Sequence, residues 1–336
     1  RFIPKQSTSL LPLTGEDLRR AVRDMGGITA AAVDGQRQHE LMQMPLAHWN
    51  RLAQLLKHVA RLGIWPDAML FELDVFIPKT VPSPLLDKQR PISVAAIIYR
   101  AWGSARLRQL RGWLMELFKH SPIHGGIPGR DFDGLQAEVA IELAEYQLQK
   151  HERKPWHSTT GDIDQSKCFC YFVQSLIFML FQIAGLPEDE IVNGVRGYYL
   201  EVLKGYKTAG TTIPCRPFLN GFLQGDGWAV LAINLIQSTW CNALHYRTRG
   251  ICRGICFIDD AKIRIRHHDE EVTKREMRVG FALTEEFLTD INAKLQKEKT
   301  AIASTSEDIA KELAAELGLS ATETTPFTGV VFVYNA

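Results

Sequence analysis

The segment Cys252–Ile265 reads CRGICFIDDAKIRI, and two adjacent carboxylates, Asp259 and Asp260, interrupt its apolar pattern. The β-favouring residues on either side predict two short strands, Ile251–Phe257 and Ala261–Arg266, joined through the acidic pair. Burying one unpaired carboxylate is costly, and two side by side repel each other. Either something positive meets them, or they lie at a solvated hairpin tip, a place that aspartate favours.

A second acidic site fits the first. Asp162-Ile163-Asp164 closes a predicted strand, Thr159–Asp164, and period-two alternation puts both carboxylates on one face. If that strand lies beside the hairpin, Asp164 meets Asp259 and Asp260 at one point. Converging oxygen donors suit hard divalent ions such as Mg²⁺. Two such ions can clamp the attacking and leaving oxygens of a phosphoryl or nucleotidyl transfer.

The 336 residues are 46% hydrophobic and 23% charged, ordinary for a soluble globular chain of two domains or of one domain with an added lobe. Six cysteines in no regular pairing and no signal peptide favour a reducing, intracellular compartment, and no apolar run is long enough for a membrane span. The sequence opens on Arg1, as a piece of a longer protein would. Net charge is +1, yet Lys79–Lys119 holds eight basic residues against Asp87 and Glu116. That local field could hold phosphates, and a solvated helix face is the bland alternative.

Along the chain, Thr14-Gly-Glu-Asp17 has the form of a helix-capping box, and Pro45–Arg61 has helical spacing closed by Gly63. Phe71–Pro78 reads as a strand, Val94–Phe118 as a long helix interrupted near Gly103, and His124–Arg130 as a loop. Leu135–Leu148, Tyr171–Ala184, Glu188–Leu203, Trp228–Leu244 and Glu271–Leu295 read as helices. Lys204–Phe222, Thr300–Thr305 and Phe327–Tyr334 read as strand-bearing. Helices against an antiparallel sheet make the class α+β.

The order of the motifs resembles the reverse transcriptase domain of non-LTR (LINE-like) retroelements, especially divergent members from protist genomes. Asp164-Gln-Ser-Lys-Cys-Phe169 is similar to the first catalytic motif, D-x-x-K-A-F-D. Gly221-Phe-Leu-Gln224-Gly225-Asp226 is similar to G-x-x-Q-G-[DS], and Phe257–Asp260 to the [FY]-x-D-D hairpin. Upstream, Ile77-Pro78-Lys79 and Arg90-Pro91-Ile92-Ser93 resemble the I-P-K and R-P-I-S fingers motifs. Gly125–Arg130 with Leu135 resembles G-F-x-x-x-R-x-x-x-D-A-L, and Asp34-Gly35 and Trp65-Pro66 resemble the D-G and W-P of the N-terminal extension. Downstream, Asn292 to Lys299-Thr300 resembles N-x-x-K-T with a longer gap, and Phe327-Thr-Gly329-Val330 resembles the primer-grip turn.

The resemblance covers almost the whole chain. It implies a right-hand polymerase without its thumb: an N-terminal extension (1–66), fingers (67–155) and a palm (156–336). It implies an RNA-directed DNA polymerase working on an RNA template, a DNA primer and dNTPs, nuclear or cytoplasmic if the element is active. Asp164, Asp259 and Asp260 would hold two Mg²⁺ ions, for which Mn²⁺ could stand in. Lys299, with Lys294 and Lys297 as rivals, would be the general acid. Lys79, Arg90, Phe169, Gln224 and Gly225 would bind the dNTP. Phe169 would exclude a ribose 2′-hydroxyl, unless it is simply a core ring. Arg130, Gly221, Phe327 and Gly329 would contact template and primer.

The sequence departs from the pattern at Cys168 and Cys170, where the family has Ala and Asp, and at Gly227-Trp228, where a P-L-S-P run is usual. Cys168, Cys170, Cys252 and Cys256 read as small buried residues rather than a zinc knuckle. Two other readings compete: a silent nucleic-acid-binding module derived from such an element, and an RNA-dependent RNA polymerase. Without a thumb this fragment alone is expected to be weak or inactive, and its oligomeric state is open.

Overall fold

The computed structural model describes residues 3–25, 32–79, 89–130, 132–149, 156–165, 168–208, 211–322, 324–327 and 330–333. Helix α1 (Gly15–Asp24) starts as its capping box predicts: the Thr14 hydroxyl accepts from the Asp17 amide, and the Asp17 carboxylate accepts from the Thr14 amide. After the short α2 (Gln38–Leu41), α3 (Leu46–Leu62) buries Trp49, Ala53, Leu56 and Ala60 along one stripe and stops at Gly63 in the left-handed conformation. Strand β1 (Phe71–Pro78) pairs with β2 (Gln89–Val94).

The long basic helix is two, α4 (Ile97–Gln109) and α5 (Arg111–Leu117), and the break falls at Leu110 instead of Gly103. A Cβ at Gly103 would stand 3.0 Å from the Trp228 indole nitrogen, so that glycine serves close packing inside a continuous helix. Then follow β3 (Ile123–His124), α6 (Phe132–Gln149), β4 (His157–Ile163), the short α7 (Cys168–Tyr171) and α8 (Gln174–Ala184). The helix expected over 188–203 begins as one π turn, Glu188–Val192, runs into α9 (Asn193–Glu201) and yields to β5 (Leu203–Thr208).

Strand β6 (Thr211–Pro217), α10 (Gly227–Arg247), β7 (Cys252–Phe257), β8 (Asp260–His267), α11 (Glu270–Asp290) and β9 (Ala301–Ser304) match the expected pattern closely. The sequence reading passed over α12 (Glu307–Leu317), although its signals are present. The Ser306 hydroxyl caps the Ile309 amide, Gly318 ends the helix, and Ile309, Ala310, Leu313 and Ala314 are buried. The chain then forms β10 (Ser320–Ala321) and a last hairpin, β11 (Thr324–Phe327) with β12 (Val330–Val333).

The fold is mixed α+β, and the chain divides into two compact units that each draw on separate stretches of sequence. One unit gathers 1–4, 114–171 and 233–336 around a six-stranded sheet ordered β10-β9-β4-β8-β7-β3. Its middle pairs are antiparallel, as expected, while both edge pairs, β10–β9 and β7–β3, are parallel. One face of this sheet packs on helices: a Cβ at Gly161 would lie 2.7 Å from the Phe281 ring of α11, and one at Gly254 would lie 2.6 Å from Cys241 of α10. Ile263 and Ile265 are fully buried on that face. Alternation therefore turns Asp260, Lys262, Arg264 and Arg266 of β8 to the other.

The second unit gathers 5–113 and 172–232 around a sheet ordered β2-β1-β5-β6. Because β5 pairs in parallel with β1, the segment after α8 joins the N-terminal helices, and the compact units do not follow the sequential boundaries at 66 and 155. Its core is aromatic. Trp65 packs edge-on to Tyr99, Trp102 and Tyr198, and its indole donates to the Gly194 carbonyl at 2.8 Å. Among the described residues no helix is long and apolar enough to cross a membrane.

Candidate active site

The β7–β8 register pairs Phe257 with Asp260, which leaves Ile258 and Asp259 as a two-residue hairpin turn. Ile258 sits at φ +56°, a left-handed conformation that a β-branched side chain adopts at a cost. Neighbouring segments hold it there. The Ile258 amide donates to the His124 carbonyl at 3.3 Å, and Gly125 leaves room for the Ile258 side chain, since a Cβ at Gly125 would approach it to 2.8 Å. The Asn234 side chain donates to the Gly125 carbonyl at 3.0 Å and pins this loop in turn.

On the other side of β8, β4 pairs Asp162 with Lys262 and Ile163 with Ala261. One further step brings Asp164 level with Asp260. Asp164, Asp259 and Asp260 thus line one cleft of about 200 Å³, together with Asp162, Lys262 and Lys299. The two carboxylates of Asp162-Ile163-Asp164 have different partners. Asp162 bonds the Lys262 ammonium at 2.5 Å with both side chains largely buried, whereas Asp164 is half-exposed and lies 4.0 Å from the Lys299 ammonium.

Burial, and then the neighbouring Asp259 carboxylate, raises the pKa of Asp260, with smaller contributions from Asp164 and Asp162 against the pull of Lys262. Burial likewise raises Asp162, against the pull of Lys262, and lowers Lys262, against that of Asp162. Among the described residues, four carboxylates and two lysines line the cleft.

The 291–300 segment is tied to the strand end that carries Asp164. The Gln296 amide donates to the Asp164 carbonyl at 2.9 Å, the Asp164 amide to the Thr300 hydroxyl at 3.4 Å, and the Asn292 side chain to the Tyr171 carbonyl at 3.1 Å. Of the three candidate lysines, Lys299 lines the cleft and Lys297 pairs with Glu285 at 3.0 Å. Lys294 is exposed.

Oxygen donors of this kind fit a hard divalent cation, and the charge load that raises Asp260 is what such an ion would relieve. As placed, the side chains do not form a closed ligand set: among the described residues, no group of three His, Cys, Asp or Glu is close enough to hold a metal ion.

Other sequence-predicted residues lie elsewhere. Phe169 is half-buried in α7. Arg130 is committed to its own loop, its guanidinium donating to the carbonyls of Ser121, Ile123 and Lys119. In the second unit, Arg90 pairs with Ile77 on the β1–β2 hairpin, and Lys79 follows β1 at the same end, both exposed. Gln224 and Gly225 lie against β2: the Ser93 amide donates to the Gln224 carbonyl at 2.8 Å, and a Cβ at Gly225 would stand 3.3 Å from the Ser93 carbonyl. The structure so joins the R-P-I-S and Q-G-D segments. Asp226 anchors the turn, accepting from Tyr199 at 2.6 Å and Tyr99 at 3.1 Å. The Gly221 amide donates to the Phe172 carbonyl at 2.7 Å. Phe327 lies in β11, and Gly329 falls outside the described residues.

The basic segment does not present one cationic face. Arg106 is buried on the Leu11 carbonyl and Gln109, Arg108 pairs with Asp24, and Lys119 pairs with Glu116, while Lys88 falls outside the described residues. Cys252 and Cys256 are buried thiols, as expected, and the side chains of Cys168 and Cys170 fall outside the described set. The cations the sequence reading missed are Arg249, Arg253, Arg264 and Arg266, which line a second cleft. Their signal was the alternation Lys262-Ile-Arg264-Ile-Arg266, which reads as a strand with one wholly cationic face. No family model matches the chain, and no curated protein matches it.

Proposed function

We propose that the cleft beneath the Ile258-Asp259 turn is a nucleotidyl-transfer site, and that the chain is an RNA-directed DNA polymerase of the reverse transcriptase type. The observation that carries this reading is one cleft lined by Asp164, from the end of β4, and by Asp259 and Asp260, from the β7–β8 turn. Two segments remote in sequence deliver carboxylates to one cleft, in the order that the motifs suggest. Asp164 and Asp259 would hold divalent metal ions, with Asp260 in support. When bound, such ions supply the charge that favours an ionised primer 3′-hydroxyl and a departing pyrophosphate. Lys299, exposed and 4.0 Å from Asp164, has the reach to give a proton to that leaving group. Lys262 is engaged by Asp162 and serves to hold the strands in register. The roles of Phe169, Lys79, Arg90, Gln224 and Gly225 at a dNTP rest on the sequence resemblance.

Primer extension on an RNA template with dNTPs and Mg²⁺ tests the reading. Weak extension is expected, with D164N and D259N each reducing it to background, and replacing dNTPs by NTPs is expected to stop it. Extension that survives both substitutions would refute the assignment. RNA binding without any extension would leave the chain a silent binding module.

A further inference from the structure

Helix α10 buries apolar side chains along most of its length, yet at Asn234 it buries an amide. Asn234 is 2% exposed and stands between Ile233 and Leu235, both fully buried. Its Nδ2 donates to the Gly125 carbonyl at 3.0 Å, and its Oδ1, buried as well, has no hydrogen-bond partner. An unpaired buried acceptor costs more than one ordinary hydrogen bond returns, so this amide is a poor choice for stability alone. Leucine has nearly the same shape and would strand no acceptor of its own.

The one bond that Asn234 makes goes to the loop on which the hairpin tip rests. Strand β3 ends at His124, whose carbonyl accepts from the Ile258 amide at 3.3 Å. Gly125 follows at φ +81° and turns its bare Cα towards the turn. A Cβ there would stand 2.8 Å from the Ile258 side chain and 3.3 Å from the Phe257 ring. Phe257 packs in turn on the buried Leu135 and Ile255.

We infer that Asn234 is a positioning residue: through Gly125 it fixes the strained Ile258-Asp259 turn, and with it the place where Asp259 meets the cleft. An isoleucine at φ +56° relaxes unless its surroundings over-determine it. The His124 carbonyl and the bare Gly125 supply that constraint while their backbone keeps its place, and the Asn234 amide is a buried bond that keeps it there. Asn234 is not among the residues that line the carboxylate cleft, so it acts through the loop. The inference rests on reading that cleft as a divalent-metal site.

Two measurements test it: hydrogen exchange of the protein alone, resolved to single amides, and Mn²⁺ binding followed by electron paramagnetic resonance. In N234L the Ile258 amide is expected to exchange about tenfold faster, the equivalent of one hydrogen bond, while the Ile263 and Ile265 amides of β8 keep their rates. A general loss of stability would speed all three alike. N234L is also expected to bind Mn²⁺ about tenfold more weakly, at the low end of what lost support of a metal ligand costs. In primer extension it should need correspondingly more Mg²⁺, with KM for dNTP unchanged. Gln237 is a control on the same helix, fully buried with Nε2 unpartnered and Oε1 accepting from the Cys256 thiol at 3.7 Å. Q237L is expected to leave Ile258 exchange and Mn²⁺ affinity within about twofold of the parent.

N234A is read in the same way if N234L does not fold, and failure of both to fold overturns the assignment. So does an unchanged Ile258 exchange rate, or an equal effect of Q237L. Mn²⁺ affinity that N234L leaves intact while D259N weakens it overturns it too. Mn²⁺ binding that D259N leaves unchanged would instead remove the metal reading of the cleft, and Ile258 exchange would still decide whether Asn234 holds the turn.

Discussion

Removing either partner of the Asp162–Lys262 pair should cost far more than removing both. The carboxylate oxygen and ammonium nitrogen are 2.5 Å apart, with the side chains 16% and 10% exposed. At an effective dielectric of about 20 their attraction is about 7 kcal/mol. Taking both ions out of water costs several kcal/mol each, so the net contribution of the pair is near zero. The shifts agree: burial raises Asp162 and lowers Lys262, so each group resists being charged where it sits, despite its partner. A single substitution, Asp162→Leu or Lys262→Met, strands one desolvated charge, for which about 3–5 kcal/mol of lost stability is expected. The double variant strands none and should fall within about 1 kcal/mol of the parent. Hydrogen exchange of the β4 and β8 amides at pH 7, with urea unfolding beside it, measures the cycle. Additive losses, or single variants costing under about 1 kcal/mol, would refute the reasoning and make the contact an ordinary solvated ion pair.

Two further predictions concern other strained or buried groups. Glu72 is fully buried, bonded at Oε1 by the Tyr198 hydroxyl at 3.0 Å and with no partner at Oε2, and burial above all lifts its pKa well above the usual range. Its protonated form is thus the folded form. The stability it lends is full below the unfolded pKa near 4.5 and is lost as pH rises towards the folded value, at up to about 1.4 kcal/mol per pH unit. Glu72→Gln should flatten that decline above pH 4.5, as measured by denaturant titration across the pH range, and parallel curves would contradict it. At the hairpin tip, Ile258→Asn puts a residue that tolerates positive φ where an isoleucine is strained. A gain of about 1 kcal/mol in thermal or urea stability is expected, and a loss would mean that the contact with Gly125 outweighs the strain.

Much of the fold was legible because its signals are local. Alternation marked β4, β7 and β8, helical spacing marked α3 and α10, and capping residues marked the start of α1 and the end of α3. The misreadings came where a glycine or a charge has a distant partner. Gly103 looked like a break and is a contact with Trp228. Arg106 and Arg108 looked like part of a phosphate-facing stripe and are engaged by Leu11, Gln109 and Asp24.

The sequence by itself determined that two acidic segments close two strands, and that one strand carries basic residues at every second position. Those are properties of a period-two chain and need no neighbour. Only the tertiary structure decided what each charge does. Cross-strand register gave Asp162 to Lys262 and left Asp164 to the cleft, backbone bonds drew Lys299 in beside it, and three carbonyls engaged Arg130. The same register set Arg253 against Arg264 and turned an unremarked alternation into a surface. Pairing is a relation between segments far apart in the chain, and no periodicity within either one encodes it.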